Sequence, residues 1–156
     1  MFVCHGNVCR SPMAEFIFKD LAKKRGAADL FSVASSATST EEIWNGVGNP
    51  VYSPARAELE KHGLCCGDKR AVRLNRSDYE KYDLFIGMDG ANVRNMLRIF
   101  GGDFCGKIRK LMDYTGRGGD VADPWYSRRF DVAYRDIYEG CAALLEDVLH
   151  WNENRR

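Results

Sequence analysis

The chain has 156 residues, 45% of them hydrophobic and 29% charged, with 23 Lys and Arg against 22 Asp and Glu. That size predicts one domain over residues 1–156 with room for a substantial core, and so even a charge balance excludes a general polyanion binder. No apolar run is long enough to span a bilayer, and Met1-Phe2-Val3-Cys4 lacks the regions of a signal peptide. A cytoplasmic protein with no nucleic-acid or membrane partner is expected, and a monomer is the default.

In chain order, Phe2-Val3-Cys4 ends a first, very short strand. Ser11-Pro12 reads as a helix start, with Ser11 at the N-cap and Pro12 at the first helical position. Met13, Phe16, Ile17 and Leu21 carry an apolar stripe at helical spacing, and Gly26 is the stop. Leu30 to Ser35 reads as a second strand. The stretch from Ser36 to Ser53, with Gly46, Gly48 and Pro50, reads as a long irregular loop, which in a compact domain is usually functional. Ser53-Pro54 repeats the cap-and-proline signal before a short helix ending near His62-Gly63. Ser77 to Tyr82 predicts a helical turn, Leu84 to Met88 the clearest buried strand, and Ala91 to Phe100 a helix stopped by Gly101-Gly102. Ile108 to Met112 is a fourth strand, and the short basic cluster Lys107 to Lys110 reads as a solvated face. A Gly-rich loop, Gly116 to Asp120, leads to Asp123-Pro124-Trp125. Phe130, Tyr134, Ile137, Cys141, Leu144, Leu145 and Val148 then mark a long amphipathic helix. Alternating strands and helices predict an α/β fold with a largely parallel sheet.

Six cysteines stand at Cys4, Cys9, Cys65, Cys66, Cys105 and Cys141. A chain with a real core and no secretion signal needs no disulfide framework. There is no Cys-x-x-Cys pair, and His5, His62 and His150 lie far apart, so no metal site is expected and no cofactor is implied. Cys65, Cys105 and Cys141 read as buried or incidental thiols.

The strongest chemical signal is Cys4-His5-Gly6-Asn7-Val8-Cys9-Arg10, between a strand and a helix start. Cleaving a phosphate monoester needs a nucleophile, a cradle for three anionic oxygens and a proton donor for the leaving group. A thiol at a helix N-terminus beside an arginine is favoured as thiolate. The helix end and successive loop amides form an anion nest, and Gly6 and Asn7 tolerate the left-handed backbone that tight loops need. Arg10 offers a planar fork for two phosphate oxygens, which lysine cannot. Ser11 has two open roles: helix cap, or hydrogen-bond partner of the Cys4 sulfur. A bare Cys-x5-Arg arises often by chance; the strand before it, Gly-Asn inside it and Ser-Pro after it make the pattern specific.

Those residues closely resemble the N-terminal signature of the low-molecular-weight protein tyrosine phosphatases, continued by Met13-Ala14-Glu15. The resemblance runs over essentially the whole chain, through Trp44-Asn45, Tyr82-Asp83, Met88-Asp89 with Asn92, and Asp123-Pro124-Trp125-Tyr126. It implies a small doubly wound four-stranded parallel sheet with helices on both faces, and tyrosine-phosphorylated proteins as substrates. It implies Cys4 as the nucleophile, Arg10 as the phosphate holder and Asp123 as general acid, then base. Asp120 is a nearby competitor that the Asp-Pro-aromatic context disfavours. The remaining loop residues, His5, Gly6, Asn7, Val8, Cys9 and Ser11, would bind the phosphoryl group. Trp44, Trp125 and Tyr126 would wall an aryl slot, although each taken singly could equally be a packing residue; Trp151 reads as packing. The resemblance further implies that Cys9 can close a reversible disulfide with Cys4 under oxidation; a small filler of the loop interior is the alternative.

The segment Ser39 to Trp44 is longer than in many relatives, and Ser127-Arg128-Arg129 adds positive charge that suggests acidic substrates. Three rivals remain. Arsenate reduction on this fold needs two further cysteines, absent from Tyr82 to Asp89. Phosphoarginine hydrolysis goes with a threonine where this chain has His5. A non-enzymatic phosphate-binding or redox-sensing module would not need Cys4, Arg10 and Asp123 together.

Overall fold

A computed structural model describes residues 1–154. In chain order its elements are β1 (Phe2–Cys4), α1 (Arg10–Lys24), β2 (Ser35–Ala37), β3 (Ile43–Trp44), β4 (Val47–Gly48), α2 (Ser53–Lys61), β5 (Phe85–Gly87), α3 (Gly90–Phe100), β6 (Ile108–Lys110), α4 (Pro124–Ser127) and α5 (Phe130–Glu153). Single 3-10 turns lie at Ala28–Leu30, Arg76–Glu80 and Leu111–Thr115.

Among the described residues, four parallel strands form the main sheet in the order β2-β1-β5-β6. Side chains alternate across a strand, and the core divides accordingly. Phe2, Cys4 and Ile86 face α1, α2 and α5; Val3, Phe85 and Ile108 face α3 with Met96 and Phe100. The fold is therefore the doubly wound α/β sheet, with helices on both faces. The chain leaves β1 for β2 on one side and returns to β5 on the other, so the switch point lies at β1, where such sheets bind ligands beyond the strands' carboxyl ends.

The structure corrects several boundaries. The second strand is Ser35–Ala37, not Leu30 to Ser35, because β1 offers only three residues to pair and its register is Phe2 with Ser35 through Cys4 with Ala37. Within 36–53 there is a two-residue hairpin, β3 against β4, turned by Asn45 (φ 48°) and Gly46 (φ 77°). Both left-handed centres mark the turn that suits Asn-Gly. The fourth strand stops at Lys110, and Leu111 and Met112 turn inward. Helix α1 starts at Arg10 after Cys9, so Ser11 is not its cap. Likewise α2 follows Tyr52, whose N–H is held by the Val8 carbonyl at 2.8 Å. Of the thiols read as buried or incidental, Cys141 is buried and Cys65 and Cys105 are exposed. Trp151 is half exposed. No described helix is long and apolar enough to cross a membrane.

Helix α5 packs on α1 and on the turn after β6. Gly140 permits that approach: a Cβ there would lie 2.5 Å from Leu111 Cγ and 3.0 Å from both its methyls, and Leu111 is itself fully buried. Overpacking of this kind costs roughly 1–3 kcal/mol. Gly140→Ala is expected to lower the unfolding free energy by that amount, seen as a lower urea midpoint with an unchanged slope; an unaltered midpoint would show that Leu111 moves freely.

Candidate active site

Residues 5–9 leave the carboxyl end of β1 and enter α1 at Arg10. The loop turns through Asn7 at φ 58°, a conformation that Asn tolerates because its side chain bonds locally. Here the Asn7 side chain is buried and fully used. Its Oδ1 accepts from the Val72 N–H at 3.0 Å, and its Nδ2 donates to Ser11 Oγ at 2.8 Å and Ser35 Oγ at 2.9 Å. Its backbone N–H donates to Cys4 Sγ at 3.2 Å.

These bonds have a direction, and the Asn7 amide sets it: with Oδ1 accepting from Val72, its Nδ2 faces the two serines and only donates. Glu15 is buried and paired with Lys19 at 2.6 Å and Lys69 at 3.8 Å. An ionised carboxylate only accepts, so the Ser35 hydroxyl donates to Glu15 Oε1 (2.6 Å) and receives from Asn7. Ser11 also receives from Asn7, which leaves its own hydrogen for Cys4 Sγ at 3.0 Å, with the Ser36 carbonyl a longer acceptor at 3.5 Å. Of the two roles open to Ser11, the geometry supplies the sulfur contact and not the cap. The unpaired amides at the start of α1 face the same loop.

Arg10 is 3% exposed. Its NH1 donates to Asp89 Oδ2 at 2.7 Å and the Val121 carbonyl at 2.9 Å, and its NH2 lies 3.5 Å from Asp123 Oδ2. Burial works against the guanidinium charge, but Cys4, Asp89 and Asp123 outweigh it and hold Arg10 more firmly protonated than usual. Asp89 is itself held by a capping box: its Oδ1 accepts from Asn92 N–H at 2.8 Å, while Asn92 Oδ1 accepts from the Asp89 N–H at 3.1 Å.

The loop before α4 is stitched to the same place. The Val121 N–H donates to the Met88 carbonyl at 2.9 Å. Asp120 Oδ1 accepts from the Gly90 N–H and from Lys110 Nζ, both at 3.2 Å. Asp123 caps α4 through Oδ1, which accepts from the Trp125 N–H at 3.0 Å, and turns Oδ2 to Arg10. The two aspartates thus part company: Asp120 is committed to α3 and β6, and Asp123 faces the phosphate loop.

Cys9 is buried within the loop. Burial pushes its thiol up to about 12, with Cys4 and Asp123 adding to the shift. Val8 is buried, and Gly6 lies under the second loop, where an added Cβ would come within 3.1 Å of Glu42 Cγ. His5 is half exposed, its Nε2 2.9 Å from Glu41 Oε2. Of the three aromatics expected at the slot, Trp125 stacks at a tilt on Tyr52, ring centres 5.0 Å apart, while Tyr126 and Trp44 are mostly exposed. Among the described residues no ring contact joins Trp44 to the other two. Sequence reasoning assigned no role to Asp89, Glu15, Ser35 or Tyr52. Asp89 had a signal, an acid at the end of the clearest strand and the start of a helix; Glu15 and Ser35 had none, because a buried polar chain has no local pattern.

The arrangement joins a thiol, an anion nest, a buried guanidinium and a carboxyl group across one mouth. The family model for low molecular weight phosphotyrosine protein phosphatase matches residues 1–154. The Bacillus subtilis low molecular weight protein-tyrosine-phosphatase YfkJ is 33% identical over 150 residues, covering 95% of this chain and 94% of its own. Its crystal structure superposes with a TM-score of 0.89 at 32% identity, over 96% of this chain and 92% of that one. The Rattus norvegicus low molecular weight phosphotyrosine protein phosphatase is 33% identical over 151 residues, 94% of this chain and 92% of its own. The crystal structure of DARP, a drosophila arginine phosphatase, is also similar, with a TM-score of 0.84 at 29% identity over 94% and 95% of the two chains. A match running from the first residue to the last described one, with relatives of equal length at a third identity, makes this chain a member of the low molecular weight phosphotyrosine protein phosphatase family.

Proposed function

We propose that residues 1–156 form one phosphatase domain that hydrolyses phosphotyrosine in proteins through a phosphocysteine on Cys4. The observation that carries this is the meeting at Arg10 of the thiol loop and the Asp123 carboxylate, from opposite ends of the chain. Arg10 and the amides of His5 to Arg10 hold the phosphoryl oxygens and gather their charge in the transition state. Cys4 Sγ attacks phosphorus as the ester P–O bond breaks. Asp123 gives its proton to the departing phenolate, then takes one from the water that attacks the phosphocysteine. Inorganic phosphate leaves and Cys4 returns as thiolate, held by the Ser11 hydroxyl and the Asn7 N–H.

Trp44, Trp125 and Tyr126 form the rim above the loop, where an aryl ring rests before the phosphate reaches the floor. Tyr52 supports Trp125 from below. The enzyme acts as a cytoplasmic monomer, where its thiols stay reduced. Under peroxide, Cys4 is oxidised to a sulfenic acid with release of water; the Cys9 thiol then attacks that sulfur, a second water leaves and a disulfide closes. A thiol reductant reverses the bond.

Cys4→Ser is expected to lose all turnover of phosphotyrosine peptides; activity equal to wild type would end the covalent mechanism. Asp123→Ala is expected to lose about 10²–10⁴-fold on unactivated aryl esters and far less on activated ones. Equal losses on both would remove Asp123 from proton transfer. A phosphoarginine peptide in the same assay is expected to be the poorer substrate, and the reverse order would assign the chain to arginine dephosphorylation.

For Cys9, a thiol pushed to about 12 is almost entirely protonated at neutral pH. Iodoacetamide at pH 7 is expected to label Cys4 and spare Cys9, by peptide mass mapping. After peroxide, thiol treatment should restore wild type and leave Cys9→Ser largely inactive. Equal recovery of the two would make Cys9 a filler of the loop.

A further inference from the structure

The mouth of the phosphate loop is charged unevenly. Backbone bonds lay the second loop along the first: the Thr38 N–H donates to the Cys4 carbonyl and the Ser39 N–H to the His5 carbonyl, both at 3.0 Å. This brings two carboxylates to one wall. Glu41 Oε2 lies 2.9 Å from His5 Nε2, and the Glu42 stem covers Gly6. Glu42 Oε2 accepts from Asn49 Nδ2 at 2.7 Å, an amide that fixes the carboxylate without neutralising it. His5 Nε2 holds the Glu41 carboxylate over the same loop. The Glu42 charge reaches into the loop, where it is among the causes that push the Cys9 thiol up.

The basic segment after α4 balances this only in part. Arg129 is taken by Asp131, with Nε and NH2 each 3.0 Å from a carboxylate oxygen. Arg128 lies over the Phe130 ring at 6.0 Å, with NH1 3.4 Å from the Tyr52 hydroxyl. Arg70, beside β4, is turned away onto the Gly48 carbonyl at 2.9 Å. Of the positive charge that Ser127-Arg128-Arg129 suggests in sequence, that of Arg129 is therefore spent on Asp131 and that of Arg128 is kept, while Glu41 and Glu42 lie directly against His5 and Gly6 of the phosphate loop.

We propose that Glu41 and Glu42 make this mouth selective for phosphotyrosine flanked by Lys or Arg and select against phosphotyrosine flanked by Asp or Glu. The inference rests on the phosphotyrosine reading above and reverses the expectation of acidic substrates. A phosphoryl dianion already meets two carboxylates on its way to Arg10. A neighbouring cation is attracted by that wall, whereas a neighbouring anion adds to the repulsion. Both carboxylates are near solvent, so each contributes a factor of about two to five, and salt screens it.

The test compares kcat/KM for three phosphotyrosine peptides that differ only in having Lys, Ala or Asp on both sides of the phosphotyrosine. In wild type the Lys peptide is expected to exceed the Asp peptide by roughly five- to tenfold at low salt, with Ala between. High salt should bring the ratio close to one. In the Glu41→Gln, Glu42→Gln double variant the low-salt ratio should fall below about twofold. Because each ratio comes from one preparation, loss of folded protein cancels from it. Equal wild-type turnover of the Lys and Asp peptides, or an unchanged ratio in the double variant, overturns the proposal alone. Turnover of none of the three, with turnover of a phosphoarginine peptide, overturns the phosphotyrosine reading as well.

Discussion

Arg10 is a charge without water. Taking a guanidinium out of solvent costs several kcal/mol unless its donors and its charge are both met, and here each partner comes from a different part of the chain. Asp89 lies at the end of β5, Val121 in the loop that follows β6, and Asp123 at the cap of α4. The need to satisfy one cation thus fixes the distances among a strand end, a helix cap and an acid-bearing loop. Remove a partner and the remaining arrangement holds a buried charge with too few contacts. This explains why Asp89 carries its own capping box: a counter-ion for a buried cation has to be rigid before it is useful.

A second buried carboxylate orders the other half of the site. Glu15 touches nothing that reacts, yet it takes the Ser35 hydrogen and so keeps Ser35 an acceptor for the Asn7 amide that also donates to Ser11. The Asn7 NH2 group only donates, so both serines receive from it and turn their own hydrogens outward, Ser35 to Glu15 and Ser11 to Cys4. The Cys4 sulfur therefore receives hydrogen bonds from Ser11 and the Asn7 N–H, the Ser36 carbonyl at 3.5 Å being a longer acceptor for the Ser11 hydrogen. Asp89 acts on the loop through charge, and Glu15 through Ser35 and the Asn7 amide bonded to it.

The architecture was legible where one face of an element must be apolar. The terminal helix, the helix over Gly90–Phe100 and the strand at Phe85–Gly87 stand within a few residues of their sequence patterns. The phosphate loop was legible because its residues are contiguous and each has a chemical reason to be there. Three kinds of feature were not. Ser35, Ser36 and Ala37 form the outer strand beside β1 from small residues, buried under α1, that carry no β signal. Ser11 and Ser53 look like caps because a hydroxyl before proline usually is one; in both helices the backbone before them takes the cap position, and the Ser11 hydroxyl is drawn to the sulfur instead. The charge of Arg129 could not be discounted until Asp131 was seen to pair with it, since two residues of separation across a helix start say little about side-chain direction.

The partners of Arg10 stand 79, 111 and 113 residues further along the chain. A chain made from its N-terminus therefore presents every residue of the phosphate loop first and the groups that organise Arg10 last. Contacts of such long range form late, after the loop-closure entropy has been met by the rest of the sheet. A nascent or C-terminally shortened chain holds the thiol, the amides and the guanidinium, yet lacks what sets their spacing. Chemical competence thus arrives together with completion of the fold, and a half-made chain carries the signature of a phosphatase without the means to act as one.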